Sequence, residues 1–84
     1  MTDTEAPPTL TNREVAAVLG LSESGVSRLR SGDRLPSLDL MQRIEAEFGW
    51  TVQGQSNARA AKNWTGAFEK VLSATKEELN AKAD

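Results

Sequence analysis

The chain has 84 residues, a formal net charge of −2, and neither cysteine nor histidine. That size holds one small domain, with a core near the lower limit for unaided folding. Without thiolate or imidazole there is no Cys or His ligand for zinc, no disulfide frame, and no Ser-His or Cys-His nucleophile. Apolar residues at 38% are ordinary globular usage, so the chain as a whole is not disordered. The start is acidic and polar, lacking a basic n-region, and no segment approaches the roughly 18 consecutive apolar residues of a membrane span. The expectation is a soluble cytoplasmic protein that is not an enzyme, with no cofactor, metal, membrane or small-molecule ligand.

In chain order, residues 1–10 read as a disordered arm, with two acids, no base, and Pro7-Pro8 resisting helix. Thr11 with Glu14 has the spacing of a capping box, and Val15, Ala16 and Leu19 then follow at helical intervals. Gly20 suits the left-handed residue that closes a helix. A second helix starts at the N-cap Ser22, with Glu23 at the positive end of its dipole, and stops at Gly32. A third starts at Ser37, carries Leu40, Ile44 and Phe48 as a stripe, and ends at Gly49. Three capped helices with short links predict an all-α domain. Trp50 and Val52 look like core anchors. Residues 53–62 are helix-compatible but small and polar, and a break is expected near Lys62-Asn63. Beyond it, Trp64, Phe68, Val71, Leu72, Thr75 and Leu79 trace one stripe, predicting a helix of about 15–20 residues that runs to Lys82. The boundaries expected are an arm at 1–10, a unit of three short capped helices at 11–52, and a helical segment at 53–84 that completes the core, with pairing to a second copy as its alternative role.

The first two helices have the grammar of a helix-turn-helix. Ala16 is small where the second helix crosses it, Gly20 permits the tight turn, and Val15, Leu19, Leu21, Val26 and Leu29 fill the space between. Around the second helix, Ser27, Arg28 and Ser31 fall within roughly 60° of Ser24, while Val26 and Leu29 lie about 140–160° away. One side is therefore core-directed, and the other carries only hydroxyls and a guanidinium. Short hydroxyls let a helix sit deep in the major groove, and Arg28 has the fork to bond guanine O6 and N7. Glu23 either accepts from cytosine N4 or serves only the helix dipole. Asn12, Arg13, Ser22, Arg30, Ser31 and Arg34, at the ends of these helices, are candidates for phosphate contacts. The overall acidity argues the other way. Residues 22–34 hold Arg28, Arg30 and Arg34 against Glu23 and Asp33, an excess of only one. The acids Asp39, Glu45 and Glu47 belong to the third helix and are expected to face away.

Gly20-Leu21-Ser22-Glu23-Ser24-Gly25-Val26, Leu29, Gly32 and Arg34-Leu35-Pro36-Ser37 carry a family resemblance. Residues 11–50 resemble the lambda-repressor/Cro-type (XRE-like) helix-turn-helix family. The resemblance implies that Glu23, Ser24, Ser27 and Arg28 read base edges, and that Asn12, Arg13 and the turn after the recognition helix hold phosphates. Family members usually carry a helix before the one that starts near Thr11, and ten residues containing Pro7-Pro8 leave no room for it. Trp50, Val52, Trp64 and Phe68 are expected to close the core in its place. The short chain favours a phage-style Cro-like protein or short repressor over one with a large C-terminal domain.

Trp64, Phe68, Val71, Leu72 and Leu79 have two readings, packing within the chain or pairing with a second copy, with Val71, Leu72 and Leu79 as dimer contacts. A two-fold dimer would place two recognition helices one DNA turn apart on a palindromic operator. Two other functions compete. One is an antitoxin-like or anti-regulator module that holds a protein partner through its C-terminal helix. The other is an excisionase-like architectural protein, which would require a β-wing after the second helix.

Overall fold

Thr11 and Glu14 exchange the bonds their spacing predicts: the Thr11 hydroxyl accepts the Glu14 N–H at 3.1 Å, and the Glu14 carboxylate accepts the Thr11 N–H at 2.8 Å. They open α1 (Asn12–Leu19) in the computed structural model, which describes residues 9–82. Gly20, at φ 70°, takes the left-handed conformation, and its N–H and that of Leu21 both reach the Ala16 carbonyl. Ser22 then caps α2 (Glu23–Ser31) by accepting the Gly25 N–H at 3.0 Å, and Gly32 ends it at φ 88°. Ser37 caps α3 (Leu38–Phe48), and Thr51 caps α4 (Val52–Ala60). The chain breaks at residues 61–63, where Lys62 has a φ of 57°, before α5 (Trp64–Lys82) runs for 19 residues. Among the described residues every regular element is a helix.

The core is built by α1, α2 and α3 on one side and α5 on the other. Val15, Ala16 and Leu19 meet Val26 and Leu29, and Leu40 and Ile44 join from α3. α5 closes this cluster with Trp64, Phe68 and Leu72. Trp50, Trp64 and Phe68 form a ring cluster, with centroids 5.0 to 5.9 Å apart. Such aromatic pairs add about 0.5–1.5 kcal/mol each beyond the area they bury. The Trp64 indole N–H also donates to the Leu29 carbonyl at 2.9 Å, which latches α5 to the last turn of α2.

Three expectations change. Residues 1–8 of the expected arm lie outside the described residues, but Leu10 is not arm at all: it is buried in the core. Leu72, expected as a dimer contact, is fully buried beneath α5 and has no surface to offer a second copy. Val52 is only half-buried, and α4 is anchored instead by Ala58 and Gln55. The wholly buried Gln55 amide donates to the Met41 carbonyl at 2.8 Å and to the Trp50 carbonyl at 2.9 Å, binding α4 to the end of α3.

Candidate nucleic-acid interface

The outer side of α2 is free. Ser24, Ser27, Arg28 and Ser31 are exposed, while Gly25, Val26 and Leu29 on the inner side are buried. Among the described residues the Arg28 guanidinium makes no hydrogen bond or ion pair, so all five of its N–H groups remain available. Ser31 is partly committed: its hydroxyl donates to the Arg28 carbonyl at 3.0 Å and accepts the Asp33 N–H at 3.3 Å, bracing the turn after the helix. The Ser24 hydroxyl lies 3.3 Å from that of the cap Ser22.

Around the start of α2 the structure gathers Arg13, Ser22, Glu23, Ser24 and Arg34. Arg13 Nε lies 3.7 Å from the Glu23 carboxylate, with the two side chains 86% and 61% exposed. A pair so open to water is worth little and parts readily for a better partner. Arg34 passes close to Gly25, where an added Cβ would meet its Nη1 at 3.4 Å. It lines a small cleft with Ser37, Arg43 and Asp39. Asp39, expected to face away, therefore lines the same cleft as Arg34. Glu47 does lie elsewhere, along a trough lined by α1, the end of α3 and α5.

Arg30 requires a correction. Expected to hold phosphate, it is mostly buried and already engaged. Its Nε and Nη2 grip both oxygens of Glu69 at 2.7 Å, and Nη1 donates to the Leu10 carbonyl at 2.8 Å and to Asn12 Oδ1 at 2.9 Å. Four of its five donors are thus spent tying α2 to α5 and to the start of α1, and the same bond leaves Asn12 only its amide nitrogen for DNA.

Arg43 was not anticipated. It reaches from α3 to donate to the Leu19 carbonyl at 3.1 Å, supplying the cation that the last turn of α1 lacks. The signal was present in the sequence: residues 16–19 contain no base to serve those carbonyls. On α5, Lys76 bonds Glu14 at 3.0 Å. The Thr11 backbone N–H foremost, then Lys76, hold the Glu14 carboxyl below its ordinary pKa.

Two short helices joined by a left-handed glycine, the second presenting hydroxyls and an exposed guanidinium, define a helix-turn-helix domain of the kind that enters a DNA groove. Residues 9–53, just over half of the chain, match a helix-turn-helix family, and the chain belongs to it: the XRE/lambda-repressor-like DNA-binding transcription regulators. No curated protein and no solved structure matches the chain. No helix among the described residues is long and apolar enough to cross a membrane.

Proposed function

We propose that the protein is a phage repressor or Cro-like regulator that occupies a palindromic operator in a bacterial cytoplasm and blocks polymerase there. The observation that carries the reading is the exposed Arg28 at the centre of the outer face of α2, without a partner among the described residues. In this reading Glu23, Ser24, Ser27 and Arg28 read base edges in the major groove. Arg13, Ser22, Ser31 and Arg34 hold the flanking phosphates, together with the amide nitrogen of Asn12. Recovery of bound duplexes from a random pool tests it. One preferred, two-fold symmetric sequence should emerge, and Arg28→Ala should weaken its binding by about 1–3 kcal/mol. Equal, purely salt-driven binding to selected and scrambled duplexes would reject sequence-specific regulation.

Pairing of two chains is supported by a trough lined by α1, the end of α3 and α5. Leu10, Ala17, Val18, Phe48, Thr75 and Leu79 line one part of it, about 400 Å³ in volume, with Glu14 and Glu47 at its sides, and Phe48 and Thr75 continue into a second part beside Val71 and Glu78. Leu79 is 50% exposed there. Leu79 and Val71 are the dimer contacts in this reading. The same trough favours, as the second reading, an antitoxin-like or anti-regulator role in which a different protein docks on it. The excisionase-like alternative needs a wing after α2, where the described chain carries α3.

A further inference from the structure

A cleft of about 590 Å³ opens where the end of α2 meets the corner between α4 and α5. Gly32 and Leu35 wall it on the α2 side, and Ser56, Arg59, Lys62 and Thr65 wall it on the corner side. Among the described residues two cations and no acid line this space, although the chain is acidic overall. From Phe48 to Phe68 the sequence contains no Asp or Glu. Elsewhere Arg13, Arg30 and Lys76 are paired with carboxylates, but neither the Arg59 nor the Lys62 side chain has a partner among the described residues.

The corner is held at a set position relative to the reading helix. The Trp64 indole bonds the Leu29 carbonyl, and Thr65 packs so closely on Gly32 that an added Cβ there would meet its hydroxyl at 3.3 Å. Lys62 keeps the left-handed conformation that residues with a Cβ avoid. A helix lying in the major groove has a phosphate strand beyond each end, and cations placed there set register without reading sequence. We propose that Arg59 and Lys62 form a second DNA-backbone clamp, gripping phosphates beyond the C-terminal end of α2. This inference rests on the DNA-binding function proposed above. It also gives the segment beyond residue 53, outside the family match, a direct role on DNA.

The test uses the full 84-residue chain, a duplex recovered by selection and a scrambled duplex of equal length, with affinity followed across a salt series. For Arg59→Gln/Lys62→Gln, both duplexes should lose affinity by the same factor. The plot of log affinity against log salt should flatten by about 1.8, so that between about 50 and 200 mM salt the unmodified protein loses roughly 12-fold more affinity than the variant. Replacing single phosphates with neutral methylphosphonate should locate the contacts outside the bases read by α2 and should weaken only the unmodified protein. Lys70→Gln, on exposed α5 surface outside the cleft, should keep the original slope. A double variant that melts normally and retains the original slope overturns the clamp while leaving the regulator reading intact. An unmodified protein that does not prefer its selected duplex defeats that reading instead, and one that binds neither duplex defeats both.

Discussion

Replacing Arg30 separates a structural arginine from a DNA contact. Arg30→Met keeps the aliphatic stem but removes two bonds to Glu69 and one each to Leu10 and Asn12. Charge-assisted hydrogen bonds contribute about 1.5–3 kcal/mol each when isolated, though members of one network do not add. Here Arg30 is only 16% exposed, so losing it orphans a buried carbonyl, but Glu69 is 38% exposed and regains water when released. Those opposing effects place the net loss near 2 kcal/mol, between an exposed pair and a fully buried one. For a domain of this size that lowers the melting temperature by about 8–16 °C. The assay is thermal unfolding followed by tryptophan fluorescence, with Glu69→Gln and the double variant completing a cycle whose coupling energy should be about 1–2 kcal/mol. At a temperature where both proteins are folded, Arg30→Met should bind its selected duplex with unchanged salt dependence. Arg28→Ala should show the reverse, normal melting and weakened binding. The reasoning fails if Arg30→Met melts normally while its salt slope drops by about 0.9, the signature of one lost phosphate contact.

Other consequences follow from the core and the caps. Gln55→Leu should destabilise the fold by about 1–3 kcal/mol in urea unfolding, because the Met41 and Trp50 carbonyls lose the donor that Gln55 supplies; a neutral result would show that packing alone holds α4. Leu72→Ala should cost about 2–5 kcal/mol of monomer stability. Leu79→Glu should leave melting nearly unchanged and shift sedimentation toward the single chain; if both mass and melting are unaltered, the trough is not where two copies meet. The Glu14 carboxyl titrates below its usual value in the folded chain, so its stabilising effect is complete above the unfolded-state pKa. That effect fades as pH falls from there through the lowered folded value. Melting of the unmodified protein and of Glu14→Gln should accordingly differ at neutral pH and converge in acid, and a gap that persists at low pH would place the contribution elsewhere.

Helix starts and stops were the most legible feature, because they depend on neighbours in sequence. Thr11, Ser22 and Ser37 cap where a hydroxyl meets a free N–H three residues on, and Gly20, Gly32 and Gly49 end helices at positive φ. The outward face of α2 was equally readable, since helical pitch alone separates Ser24 and Arg28 from Val26 and Leu29. What depended on distant partners was not legible. Arg30 looked like a second surface base because Glu69, which engages it, lies 39 residues away. Leu72 and Leu79 share one apolar stripe, yet the globule covers the first and leaves the second half exposed. Gln55 was one polar residue of the 53–62 stretch, with nothing to mark it as buried, because its acceptors are backbone carbonyls of another helix and of the loop that follows it. Arg59 and Lys62 drew no notice as single charges; they stand out only once the fold places them in one cleft beside the end of α2.

The most direct test of the account is a backbone amide NMR titration of the chain with its selected duplex. The largest shifts should fall on Ser24, Ser27, Arg28 and Ser31 and on the start of α2, exceeding any at Val71 to Leu79 as duplex is added. Perturbation concentrated on α5 and the trough, with the outer face of α2 silent, would contradict the assignment of α2 as the reading helix.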